Sequence, residues 1–162
     1  MLPSLGSGDA STPSSVRMID REVNSQTIRR AMIPAEWDES YSVGHPLLDQ
    51  QHRQLLVLFG ELVSCPEGDH ASFHKILNDV SDACDAHFAA EEAVLRDYGY
   101  TDYERHRGEH ERCRANMTEI LFAATMGFLD RPSLRRFLSE WWQSHVMTSD
   151  MAYRPTVDRR ER

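Results

Sequence analysis

The side chains able to do chemistry in this chain come in pairs. His87 and Glu91 stand four residues apart, and so do His106 and His110. In a helix that spacing places both members of a pair on one face. Each pair also falls on an apolar stripe. His87 and Glu91 extend the series Phe73, Leu77, Val80 and Cys84, which runs on to Val94 and Tyr98. His106 and His110 lie between Tyr103 and the series Cys113, Met117, Ile120 and Ala124. His52 occupies the same kind of position between Leu48 and Leu55, and His145 follows Leu134, Phe137, Leu138 and Trp141. Asp150 completes the set.

Five imidazoles and two carboxylates on core stripes need partners. An unpaired buried polar group costs about 1–3 kcal/mol and a buried charge several. A domain with roughly 5–15 kcal/mol of net stability cannot absorb that sum. Metal coordination resolves it. Seven ligands exceed the need of one four-coordinate zinc and fit two metals bridged by the carboxylates. Mixed imidazole and carboxylate donors favour iron, with manganese or zinc as substitutes. One spacing is irregular: five residues separate His145 from Asp150, about 140° apart on an ideal α-helix. Either the last turn loosens there or the carboxylate reaches sideways.

The elements that must position these groups are four helical segments with clear apolar periodicity. They cover about residues 47–64, 69–98, 101–124 and 134–150, with Thr101 or Asp102 as the cap of the third. Breaks at Pro66 and Gly68, at Gly99, and at Gly127 to Pro132 separate them. Short connections make neighbours antiparallel, so the expected fold is all-α, an up-down-up-down four-helix bundle with a flexible N-terminal extension. That extension, residues 1–32, opens Pro-, Ser- and Gly-rich and carries a faint apolar period at Val16, Ile19, Val23, Ile28 and Met32. The bundle is expected over residues 33–153, followed by a charged, frayed tail over 154–162.

The composition is that of an ordinary globular protein, 40% hydrophobic and 27% charged, with a net charge of -8. That balance argues against nucleic acid as the main partner. No apolar run is long enough to cross a bilayer, and the N-terminus lacks the pattern of a secretory signal. Cys65, Cys84 and Cys113 are widely spaced and odd in number, as expected of reduced thiols in a cytoplasmic protein. His45, His70 and His74 read as solvated or hydrogen-bonded. Glu92 reads as an outer-shell or solvent carboxylate. The charges at Arg105, Arg107, Glu109, Glu111 and Arg112 read as a solvated face.

With these motifs in hand the chain resembles the hemerythrin family, in particular its bacterial single-domain members, over about residues 33–153. The segments carrying the likeness are Trp37 to Gly44, Leu48 to His52, His87 to Glu92, His106 with His110, and Trp141 through His145 to Asp150. The resemblance implies a non-haem di-iron site with an oxo or hydroxo bridge. His106, His110 and His145 would hold one iron and His52 with His87 the other, with Glu91 and Asp150 bridging. The two-histidine iron would be one ligand short and would bind dioxygen. Trp142 and Val146 would line the oxygen pocket. Trp142 departs from the family pattern, which has a modest aliphatic group there; the indole either narrows the pocket, opens a different route or supplies an N–H donor, or it rotates outward onto a neighbouring helix.

The function implied is reversible dioxygen binding for storage, delivery or scavenging, without turnover. Two alternatives stand beside it. One is an oxygen or redox sensor that signals to a separate protein partner through the N-terminal extension. The other is a di-iron enzyme reducing peroxide or nitric oxide. The sequence leaves the oligomeric state open.

Overall fold

The computed structural model describes residues 33–160. Residues 1–32, including the Val16 to Met32 segment, lie outside the described residues. After a short 3-10 turn at Glu39–Tyr41 the chain forms α1 (Pro46–Ser64), α2 (His70–Asp97) and α3 (Tyr103–Thr125). The fourth bundle helix comes in three consecutive pieces. These are α4 (Arg131–Trp141), a π-helical segment (Trp142–Asp150) and α5 (Met151–Arg160). The result is an all-α four-helix bundle, with no strand among the described residues.

Local chemistry sets the ends. Asp69 caps α2 by accepting from the Ser72 N–H at 3.1 Å, and Asp130 caps α4 through the Ser133 N–H at 2.9 Å. Pro132 follows at a position where no donor is needed. Both α2 and α3 stop in Schellman motifs. Gly99 takes φ +70° while the Tyr100 N–H bonds the Leu95 carbonyl at 2.9 Å. Gly127 takes φ +73° while the Phe128 N–H bonds Ala123 in the same way. At α3 the N-cap residue is Asp102, but its carboxylate pairs with Arg105 and makes no cap bond. From the first turn of α1, buried Asp49 accepts from the Val43 N–H (2.8 Å) and the Ser42 hydroxyl (2.6 Å), pinning the strap that precedes the helix.

The apolar core falls into two clusters. The larger is built around Leu55, Phe59, Leu77, Phe88, Leu138, Trp141 and Trp142. The smaller holds Val43, Leu48, Leu95, Tyr153 and Val157. Belonging to neither is a set of buried histidines and carboxylates. Cys65, Cys84 and Cys113 are free thiols, and burial pushes Cys113 up to about 12.

The expected frayed tail is corrected over residues 154–160. Helix continues to Arg160, because Val157 is fully buried in the smaller cluster and outweighs the charge around it. Pro155 sits inside the first turns of α5 without ending it. Val157→Ala should therefore lower unfolding stability by about 2 kcal/mol in a denaturant titration. A frayed tail would leave the midpoint unmoved.

Candidate metal centre

Each helix delivers its ligand-type residues through the face it buries. His52 comes from α1, His87 and Glu91 from α2, His106 and His110 from α3, and His145 and Asp150 from the π segment. All seven are buried, none more than 2% exposed. The π segment answers the irregular spacing. Its i→i+5 winding brings residues five apart nearly into line, and His145 Nε2 and Asp150 Oδ1 lie 3.3 Å apart.

The groups form two sets whose donor atoms fall within 4.8 Å of one another: Glu91, His106, His110 and His145, and His52, His87, Glu91 and Asp150. Glu91 belongs to both. Its Oε2 lies 3.0 Å from His106 Nε2, 2.9 Å from His110 Nε2 and 3.9 Å from His87 Nε2. Asp150 spans the sets, with Oδ2 at 3.2 Å from His52 Nε2 and Oδ1 at 3.6 Å from His106 Nε2. Neither Asp150 oxygen makes a hydrogen bond.

Whether these residues fit a metal is decided by the outer ring nitrogens. His110 Nδ1–H donates to Glu92 (2.9 Å), His145 Nδ1–H to Glu109 (2.9 Å) and His87 Nδ1–H to the Gln51 carbonyl (3.2 Å). A proton on Nδ1 leaves the Nε2 of a neutral imidazole as a lone pair. His110 and His145 then face each other Nε2 to Nε2 at 2.9 Å. His52 Nε2 and His87 Nε2 lie 3.1 Å apart, but the His52 Nδ1 has no partner, so His52 is free to carry its proton on Nε2 and donate to His87. Opposed lone pairs, as at His110 and His145, repel unless a proton or a metal cation lies against them. The donor set therefore fits a metal.

The electrostatics agree. Burial disfavours the imidazolium of His145, but Asp150, the Glu109 hydrogen bond and Glu91 outweigh it and raise its pKa to about 9. The bond to His145 holds Glu109 down at about 2. Burial drives His87 well below the ordinary histidine range. Although burial opposes it, Glu91 is held well below the usual carboxylate range by His87, His106 and His110.

Three outcomes amend the sequence reading. Glu109 is not part of a solvated face; it sits 18% exposed as the acceptor for His145. Tyr153, unassigned from sequence, is fully buried and donates its hydroxyl to Glu91 Oε1 at 2.5 Å. Trp142 does not rotate outward. It is fully buried with its ring centroid 6.3 Å from that of His52 and 6.0 Å from that of Tyr41. Val146 is also fully buried. Glu92 takes the outer-shell place, whereas His70 is exposed and His45 and His74 are half-buried outside both sets.

A bundle of this topology, carrying two adjoining sets of imidazole and carboxylate donors, defines a class of helical metalloprotein. The sequence pattern described as the Hemerythrin HHE cation binding domain matches residues 43–157, and the chain belongs to that family. It is 28% identical over 122 residues to the bacteriohemerythrin of Stenotrophomonas maltophilia, covering 75% of this chain and 80% of that one. It is 27% identical over 121 residues to the myohemerythrin of Sipunculus nudus, covering 75% and 92%. A crystal structure of a wild-type hemerythrin superposes with a TM-score of 0.69 at 22% identity, over 75% of this chain and 95% of that chain. That likeness concerns the fold. No helix among the described residues is long and apolar enough to cross a membrane.

The pKa of about 9 at His145 has a signed consequence. A histidine raised above its ordinary value of about 6.5 stabilises the fold fully below that value. Its contribution is lost as pH rises through about 9. The metal-free protein should lose stability between those limits, and His145→Gln should flatten the profile in thermal melts. Metal uptake near pH 7 should release protons, read as acidification of a weakly buffered solution.

Proposed function

We propose that the chain is a non-haem di-iron protein that binds dioxygen reversibly, for storage, delivery or scavenging. The observation that supports this is the convergence of five imidazoles and two carboxylates in one buried polar set. In this reading His106, His110 and His145 hold one iron, His52 and His87 hold the other, and Glu91 and Asp150 bridge. The two irons, when bound, would supply the electrons that reversible dioxygen binding needs.

The chain's own groups do the rest. Glu92, Glu109 and Gln51 fix three imidazole tautomers, so that each Nε2 stays a donor. Tyr153 holds Glu91 in place by its hydroxyl hydrogen bond. Trp142, whose ring meets that of His52, and buried Val146 would line the oxygen pocket and keep water from competing for a small apolar ligand. Every ligand is an imidazole or a bridging carboxylate; the carboxylate-rich Glu-x-x-His arrangement of oxidising di-iron bundles is absent from these seams. That favours binding over turnover. The free, reduced thiols suit a cytoplasmic setting.

Anaerobic reconstitution with ferrous iron should load two irons per chain. Air should then produce a visible charge-transfer band that fades under vacuum and returns on re-exposure. Two irons that oxidise at once and stay ferric would overturn reversible binding. His110→Ala or Glu91→Ala should each lose at least one iron by metal analysis, and retention of both would remove these residues from the ligand set.

A further inference from the structure

The two donor sets differ in what stands behind their histidines. In the set of Glu91, His106, His110 and His145, two imidazoles are backed by carboxylates at 2.9 Å, Glu92 behind His110 and Glu109 behind His145. Each carboxylate is fixed in turn. Glu92 accepts from Arg114 at 3.2 Å, and Arg114 also reaches Asp85 at 3.1 Å. Glu109 is held by Arg105, which pairs with Asp102. In the set of His52, His87, Glu91 and Asp150 there is no such backing. His87 donates to the neutral carbonyl of Gln51 at a longer 3.2 Å, and His52 Nδ1 is buried without a hydrogen-bond partner.

Resting on the di-metal reading above, we propose that the two positions are unequal and fill in order. The three-histidine position loads first and tightly. The His52/His87 position loads last and empties first. Glu92 and Glu109 act as the positioning residues that create the difference.

Donor number and donor strength set the order. Glu91 and Asp150 reach both sets, so they do not distinguish them. What distinguishes them is three imidazoles against two, and anionic backing against neutral or none. A carboxylate behind an imidazole raises its basicity and fixes its ring. Losing such a partner typically weakens metal binding about 10–100-fold. An unpartnered Nδ1–H leaves a buried donor unsatisfied, but each set carries one, at His52 and at His106, so it does not separate the two positions. The position that loads last is the one nearest Trp142, where the proposed function places the ligand. Competence to bind dioxygen would then follow the supply of ferrous iron, with a one-metal, oxygen-inert form populated when iron is scarce.

Cobalt(II) tests this without oxygen chemistry. Titration of metal-free protein, followed by its visible spectrum and by competition with a chelator, should show two resolved steps. Glu109→Gln should weaken the first step about 10–100-fold and leave the second within a few-fold. Gln51→Glu, which supplies the missing anion behind His87, should tighten the second step and narrow the gap. Circular dichroism of each variant checks that it is folded. A single cooperative two-metal step in the parent protein overturns the proposal, as does equal weakening of both steps by Glu109→Gln, or a second step indifferent to Gln51→Glu. Fewer than two cobalt ions at saturation would instead defeat the di-metal reading itself.

Discussion

The constraint on which this structure depends is the repulsion between imidazole lone pairs that point at one another. The outer nitrogens of His87, His110 and His145 are committed as donors to Gln51, Glu92 and Glu109. In the neutral imidazoles their inner nitrogens therefore face inward as lone pairs, in a buried region. Hydrophobic packing at either end of the bundle fixes the helices in that disposition, and a cation relieves what the packing imposes. In the metal-free chain a proton does part of the same work at His145, whose pKa Asp150, the Glu109 hydrogen bond and Glu91 raise to about 9 against the cost of burial. The fold and the site are thus one problem in electrostatics. The two apolar clusters supply the binding energy of the bundle, and the buried polar groups set what it must bind.

The π-helical stretch is the backbone's contribution to that solution. An α-helix through residues 142–150 would turn Asp150 away from His145 and out of the polar set. The wider winding restores it, and it also carries Trp142 and Val146 inward, both fully buried. Such segments are rare, and they concentrate at functional sites because they trade regular hydrogen bonding for the placement of a side chain. Beyond Asp150 the chain returns to α-helix, delivering Tyr153 to Glu91 and Val157 to the smaller core cluster. One change of helical pitch therefore sets a candidate ligand, a hydrogen-bond donor and an anchor.

Much of this was legible in the sequence, for identifiable reasons. The pairs His87/Glu91 and His106/His110 obey the helical four-residue period, and they interrupt apolar stripes where polar groups carry a cost. Periodicity also placed the bundle helices, and Gly99 and Gly127 marked two of their ends. Less was legible where position depends on packing between helices. Glu109 lies among Arg105, Arg107, Glu111 and Arg112, and nothing in that run separates it from its charged neighbours. Its role appears only when the fourth helix brings His145 alongside. Tyr153 ended the expected bundle with nothing beside it in sequence to mark a role, and Val157 was hidden among the charges of residues 154–162, where composition suggested fraying. The π winding left a single trace, the five-residue interval from His145 to Asp150, which no regular helix accommodates.

The central claim, that this polar set is built around two cations, is tested most directly by anomalous X-ray scattering from crystals of the iron-reconstituted protein. The account predicts two peaks, one among Glu91, His106, His110 and His145, the other among His52, His87, Glu91 and Asp150. A single peak shared by both sets, or iron bound elsewhere while these imidazoles keep their present contacts, would contradict it.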